Sequence, residues 1–328
     1  MHATLIAVIC IYCSNIFHLI DRADGFNSFV RRRSSRAHYS RTLTRSKRWH
    51  PSPLDDEDNC KYIIFVVHGV GASSASLHKN IDLFRDTMEY VASEAFPSES
   101  INTHIELINW KSDIVREQEN LLVGLRPQSP ARLERVREML GSAFSDIASF
   151  MIPERNERLV SNVVGQMNSI FADLVKTKKF KNSKIAIVGY SLGSLICHDI
   201  LSEDSLAPRL SFKVDKLFLW GSPLSPYLRF TEKELKLNVT FYNIYHPLDP
   251  MAFRLEPLTD CRYKPAIQID RKSWGKRLPP KRLDFALQST NFCSLIFPFL
   301  RDLEVCTSHM DYWKNKDLCS FILNILRE

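Results

Sequence analysis

The sequence predicts an α/β fold, with helices on both faces of a doubly wound and mainly parallel β-sheet. Short apolar runs rich in β-branched and aromatic residues recur along the chain, as expected of buried strands. Stretches with apolar residues at helical spacing separate these runs, and such alternation is typical of parallel sheets. A third observation is the pentapeptide Gly-Tyr-Ser-Leu-Gly at residues 189–193, which lies between a buried strand and a helix.

The predicted strands and helices alternate from residue 62 onward. The strands are the largely apolar runs Tyr62–Val67, His104–Trp110, Lys184–Val188, Lys216–Trp220 and Val239–Tyr245. The helices are Leu77–Ala95, Pro130–Phe150, Pro153–Thr177, Ser194–Leu201 and a last helix that runs to Leu326. We expect the two charged helices before residue 180 to cover the sheet or to form part of a lid. A core of this length is sufficient for one α/β domain.

The Gly-x-Ser-x-Gly pentapeptide is typical of the nucleophile elbow of the α/β-hydrolases. In that motif a sharp turn from strand to helix strains the backbone of the serine and raises its hydroxyl above the sheet. The flanking Gly189 and Gly193 leave room for the neighbouring strand and helix. An ordinary turn is the alternative, because the bare pattern is common by chance. The strand before it and the helix after it favour the elbow, which predicts Ser191 as a nucleophile.

An acid and a histidine should follow the nucleophile in chain order. Asp249 lies just after the predicted strand Val239–Tyr245, at the end where catalytic groups of open α/β sheets gather. Of the ten histidines, only His309 follows Asp249. Considered alone, Asp249 would be interpreted as a turn residue between two prolines. His309 alone would be interpreted as a solvated loop residue. Their order and position predict a Ser-Asp-His triad, in which His309 is the base and Asp249 orients it.

Two backbone N–H groups are expected to form an oxyanion hole. One belongs to Leu192, the residue after the nucleophile. The other belongs to the turn after the first strand, where Gly69, Val70 and Gly71 follow His68, and the sequence does not decide among these three residues. We expect His68 to shape the turn rather than to act as a base. A plain tight turn is the alternative interpretation of this segment.

The C-terminal part of the chain resembles the DDHD domain of intracellular phospholipases that prefer phosphatidic acid. The resemblance rests on three motifs, YHPLDPMAFRLEPL at 245–258, RLDFALQ at 282–288 and SHMDYWKNKD at 308–317. The four letters of the family name correspond to Asp249, Asp284, His309 and Asp317. The resemblance extends over about residues 60–328, with the DDHD-type region at about 180–328. It implies a phospholipase of the A type, which hydrolyses acyl esters.

A metal site is an alternative interpretation of Asp249, Asp284, His309 and Asp317. Carboxylate oxygens and imidazole would suit zinc, magnesium or manganese. Asp249 and His309 can hardly coordinate a metal and also hydrogen-bond each other as members of a triad, and a serine mechanism needs no metal. We therefore predict that no cofactor is required, and keep a divalent metal as the alternative.

The other residues of these motifs receive structural interpretations. Asp284 is predicted to be a structural carboxylate paired with Arg254 or Arg282, and Asp317 a cap or partner of the last helix. Tyr190 stands where relatives usually carry histidine before the nucleophile. We expect this difference to change the surroundings of the elbow but not its backbone geometry.

The N-terminal residues differ from the core in composition. Residues 1–25 are largely apolar, but the run is too short for a comfortable bilayer span of ~20 residues and indicates a signal or an anchor. Residues 26–59 read as a basic, disordered linker. Within it, residues 26–50 hold seven Arg, one Lys and no acid, which is a charge of +8. Because the whole chain has a net charge of +7, all other residues together carry −1. The hydrolase core is predicted at 60–328.

These observations predict a serine-dependent phospholipase or lipase whose substrate is a phospholipid, with phosphatidic acid favoured by the resemblance. The basic linker would contact an anionic membrane surface, or it would be a solvated tether without a partner. No nucleic-acid-binding module is recognised. A non-catalytic or metal-binding lipid module is the alternative function. The resemblance implies a cytoplasmic enzyme peripheral to organelle membranes, whereas the apolar N-terminus indicates the secretory pathway as the alternative.

Overall fold

The computed structural model describes residues 60–70, 74–97, 102–111, 131–203, 209–259, 264–276, 281–288 and 308–328. The predicted apolar segment 1–25, the whole of the predicted linker 26–59 and the candidate donor Gly71 lie outside these residues, so they stay predictions. None of the helices in the described part of the chain has the length and apolar character that a bilayer span requires.

The described strands form one sheet of seven strands in the order β2-β1-β3-β4-β5-β7-β6. In chain order they are β1 (Tyr62–Val67), β2 (Thr103–Ile108), β3 (Lys184–Tyr190), β4 (Lys216–Trp220), β5 (Thr240–Tyr245), β6 (Ile267–Ile269) and β7 (Asp284–Leu287). Each pair of neighbouring strands in this sheet is parallel. The predicted parallel α/β sheet is confirmed.

Helices cover both faces of the sheet. In chain order they are α1 (Ser74–Ala95), α2 (Ala131–Met151), α3 (Pro153–Leu174), α4 (Leu192–Leu201), α5 (Leu224–Thr231), α6 (Glu256–Thr259) and α7 (Lys316–Arg327). On β1, Ile64 and its alternate neighbours pack in one apolar cluster with residues of α1 and α7. Phe65 and its alternate neighbours pack in a second cluster with residues of α3 and α4. The alternation of side chains along each strand therefore builds two apolar layers.

Four of these helices and strands were not expected from the sequence, namely α5, α6, β6 and β7. The prolines at 223 and 226 mark a turn in the sequence, although proline is tolerated in the first turn of a helix such as α5. β6 has three residues and β7 has four, which is too short for a periodic pattern to be recognised. Tertiary pairing with β5, rather than local sequence, is what defines β7 as a strand.

The carboxyl ends of the central strands lie level with one another, and this positions the site. The N–H of Ser191, after β3, donates to the carbonyl of Trp220 at the end of β4 over 2.9 Å. The N–H of Gly221, after β4, donates to the carbonyl of Ile244 on β5 over 3.1 Å. The loops after β3, β4 and β5 therefore meet at one edge of the sheet, as is usual for ligand sites of this architecture.

Candidate active site

The turn between β3 and α4 has the strained geometry of a nucleophile elbow. Ser191 has φ 53° and ψ −121°, a conformation that non-glycine residues rarely adopt. A Cβ at Gly193 would collide with the carbonyl of Val67, and a Cβ at Gly189 would lie 2.8 Å from the Cα of Ser194. Only glycine fits at both positions, because strand and helix approach each other closely. Ser191 adopts this backbone conformation with Tyr190 directly before it.

The loop after β5 presents Asp249 to the same edge of the sheet. Its carboxylate is buried, and Oδ1 accepts a hydrogen bond of 2.9 Å from the N–H of Met251. The phenol of Tyr312 donates to Oδ2 over 2.7 Å. Gly221 lies beside the carboxylate with φ 53°, and a Cβ there would be 2.8 Å from Oδ2. Backbone, phenol and close packing together hold the carboxylate in one orientation.

His309 connects Asp249 to Ser191. Its Nδ1 lies 2.9 Å from Oδ2 and 3.0 Å from Oδ1 of Asp249, and its Nε2 lies 3.0 Å from Oγ of Ser191. Asp249 keeps the proton on Nδ1, which leaves Nε2 as an acceptor for the serine hydroxyl. The three side chains predicted from the sequence thus form one continuous hydrogen-bonded path, although they are distant in the chain.

Electrostatics keep the carboxylate of Asp249 ionised. Burial acts to raise its pKa, but the electrostatic interaction with His309 and the hydrogen bonds from His309 and Tyr312 outweigh burial and lower the pKa below its ordinary value. Burial raises the pKa of Tyr312 well above its ordinary value, so its hydroxyl stays a donor. An ionised acid beside the imidazole is the arrangement that stabilises a protonated histidine during proton transfer.

Two of the candidate oxyanion donors, Leu192 and Gly69, lie beside Ser191. Leu192 is the first residue of α4, where helix N–H groups have no intrahelical acceptor and point outward. A Cβ at Gly69 would lie 2.7 Å from Cβ and 3.3 Å from Oγ of Ser191, so the chain after β1 passes directly beside the nucleophile. Val70 follows as a half-buried residue. The structure therefore brings Gly69 and Leu192 to Ser191, and the role of each N–H stays a prediction.

His68 is part of the wall of this turn. It is fully buried, stacks on the ring of Trp110 at 4.9 Å between centroids, and its Nδ1 lies 2.8 Å from the carbonyl of Gly69. Burial lowers its pKa to about 4, so the ring is neutral at physiological pH. Trp110 donates from Nε1 to the carbonyl of His68 over 2.9 Å. These contacts fit the predicted role of shaping the turn.

Comparisons with known proteins show what this chain is similar to. The DDHD domain family matches residues 210–273. This range holds Asp249 and the densest of the three motifs. A probable mitochondrial phospholipase of Saccharomyces cerevisiae is 26% identical over 281 residues, which is 73% of this chain and 38% of the yeast protein. The chain therefore contains a segment that resembles the DDHD domain, and it is similar in sequence to a named phospholipase.

Other similar proteins are also named as phospholipases. Phospholipase DDHD1 of Mus musculus is 24% identical and the alignment covers 69% of this chain and 54% of the mouse protein. Intracellular phospholipase A1 of Caenorhabditis elegans is 23% identical, and the alignment covers 62% of this chain and 31% of the nematode protein. The chain therefore spans about a third to a half of the length of these relatives. An acetyl xylan esterase structure is 12% identical, with a TM-score of 0.33 and coverage of 82% of this chain and 97% of the esterase.

The four residues that correspond to the letters D, D, H and D have different surroundings in the structure. Asp249 and His309 bind each other, whereas Asp284 and Asp317 each have partners elsewhere. Asp317 accepts a hydrogen bond of 2.7 Å from Nε1 of Trp274. Among the described residues, no group of three or more His, Cys, Asp or Glu side chains is arranged to hold a metal ion. The four residues therefore do not fit one metal site, and no step of the chemistry below is assigned to a metal.

Asp284 anchors the far end of the loop that carries Asp249. It is fully buried at the start of β7 and accepts four hydrogen bonds, of 2.9 to 3.1 Å, from Asn243 Nδ2, Arg254 Nε, and the N–H groups of Leu255 and Glu256. Asn243 also donates to the carbonyl of Phe253 over 2.9 Å. The predicted pairing is thus with Arg254 and not with Arg282. These bonds tie the loop after β5 to the neighbouring strand.

The last helix is capped differently from expectation. Asn315, not Asp317, is its N-cap, and the Asn315 side chain accepts a hydrogen bond of 2.9 Å from the N–H of Leu318. Asn and Asp are equally suited to this position, so the sequence allowed either choice. Asp317 lies in the first turn, where its contact with Trp274 joins the helix to the segment after β6. It is therefore a partner of the helix but not its cap.

Glu256 and Arg282 form a second buried pair beside Asp284. Arg282 donates from Nε to Oε1 of Glu256 over 2.7 Å and from Nη2 to Oε2 over 3.0 Å, and the N–H of Leu283 donates to Oε1 over 2.9 Å. Although burial acts to raise the pKa of Glu256, the hydrogen bonds from Arg282 and the backbone lower it below its ordinary value of 4.5. This pair, which the sequence did not single out, supports the same loop.

A pH-dependent loss of stability is expected for Glu256→Gln. Because the folded pKa is depressed, the carboxylate stabilises the fold fully above its unfolded pKa, and this contribution is lost as pH falls through the folded pKa. The variant should lose about 2 kcal/mol of unfolding free energy at pH 7, and the difference from wild type should shrink toward pH 3. Calorimetric melting of both proteins at pH 7 and pH 3 measures this difference in unfolding free energy.

The matched control for that experiment is Glu234→Gln. Glu234 is 75% exposed and pairs with Lys236 over 3.0 Å at the surface, where ion pairs contribute little. The Glu234→Gln variant should have the same melting temperature as the wild type at pH 7 and at pH 3. A Glu256→Gln deficit of the same size at pH 7 and pH 3 would show that the carboxylate charge is not what stabilises the loop.

Tyr312 is the residue of the site that sequence reasoning missed. It lies three residues after His309, and its hydroxyl both donates to Asp249 and accepts from the N–H of His246 over 2.9 Å. Its place inside the third motif was visible, but an aromatic residue at that spacing is also typical of plain packing. Only the folded chain, which brings residues 246, 249 and 312 together, reveals the second hydrogen bond to the acid.

Proposed function

We propose that the chain is a serine-dependent phospholipase that hydrolyses acyl esters of glycerophospholipids at membranes. The observation that carries this proposal is the path from Asp249 through His309 to Ser191, with its heavy-atom distances of 2.9 and 3.0 Å. Both distances lie within the range in which a base and a nucleophile exchange a proton. The strained elbow holds the hydroxyl at hydrogen-bond distance from His309.

The first half of the reaction forms an acyl-enzyme. Nε2 of His309 accepts the hydroxyl proton of Ser191 while Oγ attacks the ester carbonyl carbon. The carbonyl oxygen becomes an oxyanion, which the N–H groups of Leu192 and of the Gly69–Gly71 turn would stabilise. His309, now a cation beside the ionised Asp249, then donates its proton to the leaving glycerol oxygen. The carbon–oxygen bond breaks and the lysophospholipid leaves.

The second half releases the fatty acid. A water molecule takes the position of the departed alcohol and gives a proton to His309 as its oxygen attacks the acyl carbon. The second tetrahedral intermediate collapses, Oγ of Ser191 leaves with the proton returned by His309, and a fatty acid is released. Each proton that the histidine accepts is returned within the same half-reaction, so the enzyme is regenerated without a cofactor.

The substrate class comes from the relatives. The yeast, mouse and nematode proteins are named as phospholipases, and together with the DDHD match they favour a phospholipid as substrate. Phosphatidic acid is our proposed preference, from the resemblance in the motifs. An anionic membrane surface is the proposed partner of the basic residues 26–50. A cytoplasmic enzyme peripheral to organelle membranes fits this proposal.

Hydrolysis of vesicles tests the function. The purified chain should release fatty acid from mixed vesicles of phosphatidylcholine and phosphatidic acid, and EDTA should leave the rate unchanged because the proposed steps use only protein groups. Mass spectrometry of the lipid products measures the release. Ser191→Ala is the matched control for a contaminating lipase.

Two results would contradict the proposal. Activity that EDTA removes and one divalent ion restores would favour metal-dependent hydrolysis. Binding to the vesicles without any hydrolysis would favour a lipid-binding module that has no catalytic role.

A further inference from the structure

Tyr190 makes two contacts with the residue that we propose as the base. It ends β3 directly before Ser191 and is buried. Its hydroxyl donates a hydrogen bond of 2.5 Å to the backbone carbonyl of His309. Its ring stacks on the imidazole of His309, with 5.1 Å between centroids and 29° between planes. One side chain thus contacts both the backbone and the ring of the histidine.

The tyrosine is itself held in place. Its ring packs edge-on against Trp313, with centroids 5.1 Å apart, and lies 6.1 Å from the ring of Tyr312. Burial, followed by the charge of Asp249, raises the pKa of Tyr190 far above its ordinary value, so the hydroxyl is a donor at any pH of interest. A buried, protonated phenol with fixed neighbours is a rigid support.

His309 needs such a support because no strand or long helix carries it. It lies in a turn before the 3₁₀ helix Asp311–Lys314, whereas Ser191 is fixed at the end of a central strand. Asp249 orients the imidazole through Nδ1, but a contact at one ring edge leaves the backbone of the turn free to shift. Tyr190 joins that backbone to the strand that carries the nucleophile.

We propose that Tyr190 is a positioning residue, which holds His309 at hydrogen-bond distance from Ser191. The inference rests on the proposed function. The hydroxyl of Tyr190 fixes the carbonyl of His309, and its ring limits rotation of the imidazole, so that Nε2 stays 3.0 Å from Oγ. Proton transfer is sensitive to this distance, since a displacement of about 1 Å can lower a rate by ~100-fold.

Tyr190→Phe isolates the hydrogen bond, because phenylalanine keeps the ring and its stacking. Tyr227→Phe is the matched control. Tyr227 is also buried, and its hydroxyl accepts a hydrogen bond of 2.8 Å from Lys233 in a cluster on the far side of α4. Each variant loses one buried phenol hydroxyl, so both should melt at similarly lowered temperatures.

The expected result separates positioning from packing. With a soluble short-chain ester, Tyr190→Phe should lower kcat by about tenfold or more and change KM by less than about twofold. The rate at which a fluorophosphonate labels Ser191 should fall by a similar factor, because that reaction also needs the aligned base. Tyr227→Phe should keep the wild-type kcat and labelling rate.

The outcomes distinguish this inference from the proposed function. If the wild type is labelled and Tyr190→Phe keeps kcat and labelling within about twofold of it, the positioning role is wrong and the proposed function stands. If both tyrosine variants lose the same factor in kcat, the effect is general packing and the inference is overturned. A folded wild type that is neither labelled nor active would overturn the proposed function, and this inference with it.

Discussion

Ser191→Ala should lower kcat for ester hydrolysis by about 10⁶-fold while the protein stays folded, because loss of the nucleophile removes the covalent route. Alanine deletes one hydroxyl from a side chain that is 4% exposed and leaves the backbone of the elbow in place. The measurement is the hydrolysis rate of a soluble short-chain ester, together with the melting temperature of each protein.

Ser320→Ala is the matched control for that loss. Ser320 is 1% exposed on α7, so the variant also removes one buried serine hydroxyl, but from a helix that carries none of the proposed catalytic residues. It should retain the wild-type kcat. A folded Ser191→Ala protein with substantial activity would rule out the serine mechanism.

Asp249→Asn should lower kcat by about 10⁴-fold, because an amide no longer holds His309 in the tautomer that leaves Nε2 free to accept a proton. The neutral side chain also fails to stabilise the imidazolium that forms as Ser191 attacks. The shape of the side chain is kept, so the loop after β5 should fold. Single-turnover and steady-state rates with the same soluble ester measure the effect.

Asp284→Asn provides the comparison at a second buried carboxylate. Asp284 is as deeply buried as Asp249 but bonds to Arg254 and to the backbone rather than to His309. Loss of its charge should lower the unfolding free energy by about 3 kcal/mol, since Arg254 would lose its buried partner. If Asp249→Asn lost mainly stability and Asp284→Asn mainly kcat, the assignment of roles to the two carboxylates would be wrong.

Much of the fold was predictable because the central strands are continuous apolar runs. The strands β1 and β4 agree with the sequence prediction at both ends, and β5 differs by one residue at its start. The short strands β6 and β7 were not predictable, because their pairing depends on residues that are distant in the chain. The helix α4 begins at Leu192, as the elbow requires, rather than at the first residue with apolar spacing.

The site was predictable as far as chain order constrained it. The elbow indicated Ser191, the end of a later strand indicated Asp249, and His309 was the only histidine after Asp249. The structure brings these three side chains into contact. Their catalytic roles stay predictions. The supports of the triad, Tyr190 and Tyr312, could not be found in the same way. In the sequence, each of these tyrosines is compatible with ordinary packing. Their hydrogen bonds to His309 and Asp249 form only where distant segments of the chain meet.

The central claim is that Ser191 is a nucleophile activated by His309, and a fluorophosphonate probe tests it most directly. The probe forms a covalent bond only with a serine whose proton is removed by a neighbouring base. Mass spectrometry of the digested wild-type protein should find one adduct, on Ser191, and none in Ser191→Ala; labelling should be greatly slowed in His309→Gln. An active wild type without an adduct on Ser191, or equal labelling in His309→Gln, would contradict the mechanism.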